Sequence, residues 1–204
     1  MKYLKALGLA AVAAMALTAL IGVGSASATV LCKTALSEGC AGVWDYPAGT
    51  EIDLSLEGST STRGTNGELL DTCTEGTIKG ATTNTGGPSE TVTSKSSELW
   101  SRNCTTTTVS LAPGSLEIHW KEGTNGTLTV KGTEVTKMIG SVSCVYGPAA
   151  GGVDLGTLTG GSPATVDVEA VLPKLSGGFL CPADVVWNGA YLVTTPQPLY
   201  VSAS

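Results

Sequence analysis

Apolar and polar residues alternate with period two through much of this chain, the pattern of strands that bury one face and wet the other. Over residues 51–57, Ile52, Leu54 and Leu56 fall on one side and Glu51, Asp53, Ser55 and Glu57 on the other. Residues 115–120 repeat the pattern with Leu116, Ile118 and Trp120 aligned, and Gly123-Thr-Asn-Gly126 predicts a turn into a hairpin partner over 127–131. Within 164–172, Val166, Val168, Ala170 and Leu172 face inward while Asp167 and Glu169 face water. Shorter strands are expected at 91–93, 98–100, 104–111, 134–137, 142–146, 154–158, 190–194 and 199–201, with two more around Cys73 between residues 68 and 79. The Ser/Thr/Gly-rich segment 58–67 reads as a surface connection, and 80–89 as the longest irregular segment.

After residue 29 no run of ten or more residues carries helical apolar spacing free of Gly or Pro. Many short strands separated by turn signals predict an all-β fold, a disulfide-stabilised Greek-key β-sandwich or barrel-like sandwich. The stretch 141–194, with Cys144, the alternating run and Cys181, is the expected organising element.

The N-terminus changes the picture of compartment. Lys2 and Lys5 precede an apolar run from Ala6 to Val23, and Ala26-Ser27-Ala28 supplies the small residues of a cleavage site. A signal peptide over 1–28 is therefore expected, followed by a single secreted β domain over 29–204 and no membrane span once the signal is removed. Bulky Leu31 beside Cys32 argues against a lipidated N-terminal cysteine.

Charge narrows the partners. With 11 Lys+Arg against 17 Asp+Glu the net charge is −6, and loss of Lys2 and Lys5 makes it more acidic still. That balance repels phosphate backbones, and no basic patch relieves it, so nucleic acid is excluded as a partner. Charged residues make up only 14% of the chain, the composition of a surface covered by hydroxyls instead.

All six cysteines lie beyond the signal peptide, and an even number in an exported chain reads as three disulfides out of fifteen pairings. Sequence order favours Cys32–Cys40, Cys73–Cys104 and Cys144–Cys181. No CxxC pair is present and the only histidine is distant, so neither a metal nor another cofactor is expected.

Candidate chemistry is sparse. His119 sits between Ile118 and Trp120 on the expected outward face, and no Gly-x-Ser-x-Gly elbow exists to use it. Glu51 with Asp53, and Asp167 with Glu169, would be the carboxylate pairs of a secreted hydrolase, although alternate acids on a wet face are the ordinary solvated pattern. Asp45, Asp71, Glu75 and Asp154 offer oxygen ligands for calcium without a recognisable loop signature. No catalytic residue is assigned. Trp44 with Tyr46, in a Pro/Gly loop near the first disulfide, is the candidate contact for a carbohydrate or a protein partner.

Tyr46-Pro-Ala-Gly-Thr50, Cys144-Val-Tyr-Gly147, Gly156-Thr-Leu-Thr-Gly-Gly161, Ser162-Pro-Ala-Thr165 and Phe179-Leu-Cys181 carry a resemblance. The chain resembles a group of exported, cysteine-containing proteins of high-GC soil bacteria to which no activity is assigned. The resemblance implies bacterial secretion or surface display and no catalytic residue. The function expected is an extracellular or cell-surface structural or adhesive protein, partnered by itself or by a surface component, with a carbohydrate-binding module as the alternative. The apolar ends 29–31 and 199–201 would pair either with a neighbour's sheet edge or with their own sheet.

Overall fold

In the computed structural model the described residues are 28–36, 39–106 and 108–204, so the expected signal peptide, apart from Ala28, lies outside them. The runs that alternate in sequence become strands β1 (Thr29–Cys32), β2 (Glu51–Gly64), β3 (Leu69–Thr82), β4 (Gly86–Gly87), β5 (Val92–Cys104), β6 (Thr108–Ala112) and β7 (Ser115–Glu122). They continue as β8 (Asn125–Lys131), β9 (Glu134–Ile139), β10 (Val142–Tyr146), β11 (Val153–Thr159), β12 (Thr165–Ser176), β13 (Asp184–Thr195) and β14 (Tyr200–Ser202). Among the described residues the only helical element is a single 3₁₀ turn, Gly42–Trp44.

Eight strands run in the order β11-β8-β7-β5-β3-β2-β13-β12, and β12 pairs back onto β11 to close an antiparallel barrel. Closure removes the exposed edges that an open sheet of this width would carry. It depends on a close approach at Gly156, where φ is +150° and an added Cβ would lie 1.9 Å from the Asp167 carbonyl oxygen. The small sheet β14-β1-β4 caps one end, with Leu31, Leu199 and Val201 buried in the common core. The terminal segments thus pair with each other, Leu31 opposite Val201, and of their two expected uses the chain takes the internal one.

Five of the strands, β12, β13, β2, β3 and β5, extend beyond this closed half. At the far end of β12, Tyr146 pairs with Lys174, and the sheet continues through β10, β9 and β6. These added strands curl back over the same inner face, so a second, barrel-like half stacks on the first. Register shifts mark the junction: β2 slips against β3 between Ser55 and Thr60, and against β13 at residues 188–190. Bulges of this kind bend long strands without ending them.

Two sequence expectations are corrected here. The surface connection expected over 58–67 shrinks to the turn at residues 65–68, since β2 runs on to Gly64 with Thr60 and Thr62 buried. The pair of strands expected around Cys73 is one continuous strand, β3.

Three disulfides join Cys32 to Cys40, Cys73 to Cys104 and Cys144 to Cys181, and the described residues include no free cysteine. The first ties β1 to the loop that follows it. The second links directly opposed residues of β3 and β5. The third fastens β10 to the loop between β12 and β13.

Candidate functional site

The inner face of the second half is where ionisable chemistry gathers. Cys73 points inward to reach Cys104, and period two along β3 then carries Asp71 inward as well. On β9 the same rule aligns Lys137 with the partly buried Val135 and Ile139. Asp71 and Lys137 are only 1% and 8% exposed, and the Lys137 ammonium lies 2.5 Å from Asp71 Oδ2. Strands β3 and β9 are separated in the sheet by β2, β13, β12 and β10, so this ion pair crosses the interior and joins opposite walls.

The other carboxylate oxygen has its own donors. Asp71 Oδ1 accepts the Thr106 backbone N–H at 2.9 Å and the Thr105 hydroxyl at 3.0 Å. Burial alone would push the Asp71 carboxyl up, yet the Lys137 ammonium and the Thr106 and Thr105 donors together hold it below the ordinary aspartate value. With its other oxygen satisfied in this way, the Asp71 carboxylate meets the Lys137 ammonium as an ion pair.

Around the pair lies a recess lined by Thr60, Thr62, Ser101, Leu172, Tyr146 and Trp187, among others. Its free volume is about 30 Å³, room for about two water molecules and too little for a sugar or a drug-sized ligand. Thr60 organises one wall: its hydroxyl donates to the Asn188 carbonyl at 2.8 Å and accepts from Trp187 Nε1 at 2.7 Å. Gly189 makes that approach possible, because a Cβ there would stand 2.9 Å from Thr60 Oγ1. Tyr191, beneath this junction, meets the Trp187 ring edge-on at 6.3 Å. Burial drives its phenol up to about 12, with a hydrogen bond to Thr60 pulling the other way. The matching space in the closed half, about 40 Å³, is walled largely by Ile52, Leu54, Ile118, Leu128, Val166 and Val193, an apolar void.

Asp71, Cys73 and Cys104 bring three potential metal-binding atoms within 4.8 Å of one another. The donor set does not fit a metal ion. Both sulfurs are spent on the Cys73–Cys104 bond, which leaves no thiolate, and the carboxylate faces an ammonium. Asp71 also leaves the group of loop acids considered for calcium, since a lysine occupies the position a cation would take.

The remaining sequence candidates are scattered. Trp44 is 53% exposed beside Val43, whereas Tyr46 is buried with its hydroxyl donating to the Pro198 carbonyl, so the two rings do not share an exposed platform. His119 Nε2 lies 3.8 Å from Glu117 Oε2, and that glutamate also receives Lys131 at 2.7 Å. Glu51 and Asp53 border a shallow open groove with Lys79 and Lys95, and Asp167 and Glu169 are exposed on the outer face of β12. None of these four acids lines the interior recess.

One surface feature escaped the sequence reading. Registered pairs place Val171, Val186, Arg63 and Leu69 in one row across the outer wall of β12, β13, β2 and β3. Leu175 lies two strand periods beyond Val171 on the same face of β12, and Phe179 and Leu180 follow in the loop after β12. Leu69, Val171, Leu175, Phe179 and Leu180 are 50%, 51%, 44%, 94% and 52% exposed.

Among the described residues no helix is long and apolar enough to cross a membrane. Compared with protein-family models, curated proteins and solved structures, the chain matches none.

Proposed function

We propose that the chain is an extracellular or cell-surface structural or adhesive protein of a bacterium that associates with copies of itself through the outer wall of its second half. The observation that carries this reading is the set of exposed apolar residues Leu69, Val171 and Leu175 on the outer wall, with Phe179 and Leu180 in the loop that follows β12. Phe179 at 94% exposure contributes nothing to the interior, so folding gives no reason for it to be aromatic. Three disulfides and interior spaces too small for a sugar also favour a durable body over a ligand carrier or a catalyst.

Size sets the strength of the association. A band of this kind spans on the order of a few hundred Å², less than the roughly 800 Å² per partner typical of stable complexes. Pairwise contact is therefore weak, and adhesion comes from many copies held close together. Sedimentation velocity of residues 29–204 over a wide concentration series tests this. Reversible association is expected in the natural chain and is lost in the combined Val171→Thr, Leu175→Thr, Phe179→Ser variant at unchanged thermal stability. A natural chain that stays monomeric at the highest attainable concentration defeats the proposal.

A second reading rests on Trp44, whose exposed indole offers a stacking face for a sugar ring. Retention on a glycan surface that vanishes with Trp44→Ala, while self-association persists, would favour that alternative.

A further inference from the structure

We propose that Asp71 and Lys137 condense into an intramolecular amide, an isopeptide bond that locks β3 to β9 across the interior. The inference is independent of what the outer wall binds.

Three observations converge on it. First, the two groups meet head-on from opposite walls with almost no exposure, 1% for Asp71 and 8% for Lys137, and Nζ stands 2.5 Å from Oδ2. Holding reactants in contact replaces a bimolecular encounter with a unimolecular step, worth several powers of ten in rate. Second, the carboxyl group is held asymmetrically. Oδ2 faces the amine, while Oδ1 sits between the Thr106 N–H and the Thr105 hydroxyl, two donors placed where negative charge would develop on attack at Cγ. Third, the recess has room for about two water molecules within walls that include Leu99, Val135, Leu172 and Trp187. Low polarity there narrows the gap between the charged pair and its neutral amine–acid form, and it shields the product from hydrolysis.

The chemistry balances without a co-reactant. One proton passes from the Lys137 ammonium to Asp71 Oδ2, giving an amine and a carboxylic acid. The nitrogen lone pair forms the Nζ–Cγ bond, and Oδ1 carries the resulting negative charge against its two donors. A second proton moves from Nζ to the Oδ2 hydroxyl, the Cγ–Oδ2 bond breaks, and Oδ2 departs as water. One N–H remains on the new amide, no atom changes oxidation state, and the net charge of the pair stays at zero. Thr105 acts here as an oxyanion donor, in direct contact with Oδ1.

The pair also stands where a bond is most useful. The closed half is sealed by the β11–β12 ladder. In the second half, the Asp71–Lys137 contact spans walls that the sheet order leaves far apart. A covalent strap there closes by side chains what the other half closes by backbone.

The test is the mass of the folded protein, exported or refolded, then reduced and alkylated. A chain one water lighter than its sequence is expected, together with a branched tryptic peptide joining the Asp71 and Lys137 segments and no cleavage after Lys137. Lys137→Arg is expected to restore the full mass. Thr105→Val is expected to slow closure during refolding by about a hundredfold, the loss typical of one oxyanion donor. A natural chain of full mass with a linear peptide ending at Lys137 overturns the proposal. So does a missing water that peptide mapping places elsewhere. Because the natural chain decides the question, poor folding of a variant does not obscure the answer.

Discussion

Tyr191 offers a quantitative check on the interior at the junction of the two halves. Its phenol is raised from 10.0 to about 12 by burial, so the folded state holds it neutral where the unfolded chain would already release the proton. A group raised on folding contributes its full stabilisation below the unfolded value and loses it as pH climbs from that value through the folded one. Two pH units correspond to about 2 to 3 kcal/mol lost in all, and about 1.4 kcal/mol is gone by roughly pH 11. Tyr191→Phe cannot ionise. Near neutrality the variant should be less stable by about 1 kcal/mol, since it gives up the buried hydroxyl and the packing around it. Its deficit should shrink with rising pH until the two curves meet near pH 11. Tyr46 and Tyr146 are also raised by burial, but they contribute the same slope to both proteins and cancel in the difference. Urea unfolding at a series of alkaline pH values, with phenolate absorbance followed in parallel, measures both quantities. With no free cysteine among the described residues, thiolate-initiated shuffling has no local source. Two stability curves that run parallel from neutral pH to pH 11 would show that Tyr191 is hydrated in the folded state and that the junction is not packed as described.

Three further substitutions probe closure and the bulged junction. Gly156→Ala should cost more than about 3 kcal/mol or prevent closure outright, because its Cβ would collide with the Asp167 backbone oxygen, whereas Gly151→Ala, with open space around it, should be nearly neutral in the same thermal melt. Thr60→Val removes both the donor to Asn188 and the acceptor for Trp187, and should destabilise by about 2 kcal/mol with a shift in tryptophan emission.

Sequence periodicity revealed the strands of the closed half because their inner faces are aliphatic: Ile52, Leu54, Ile118, Val166 and Val168 each alternate with polar neighbours. In the second half the strands at 134–137 and 142–146 were legible too, but the continuation of β2 and β3 was hidden for a physical reason. There Thr60, Thr62 and Asp71 face inward between polar neighbours such as Ser61 and Thr72, so no alternation survives. Segment 58–67 therefore looked like a solvent loop. The signal that would have exposed Asp71 was its spacing from Cys73, since a cysteine aimed at a partner across the sheet commits its neighbour two residues away to the same face. Lys137 is aligned with Val135 and Ile139 in the same manner, and a lysine there implies an interior anion. The outer apolar band was beyond reach without register, because Leu69, Arg63, Val186 and Val171 come from four strands that only the sheet order sets side by side.

Five strands traverse both halves without interruption, and this bears on cooperativity. To melt the closed half while keeping the other, β2, β3, β5, β12 and β13 would each have to fray at mid-length, breaking hydrogen bonds on both flanks for little gain in chain entropy. Heating should therefore produce one calorimetric transition, and amide exchange along β2 should slow together at Leu54 and Thr62, as one folding unit.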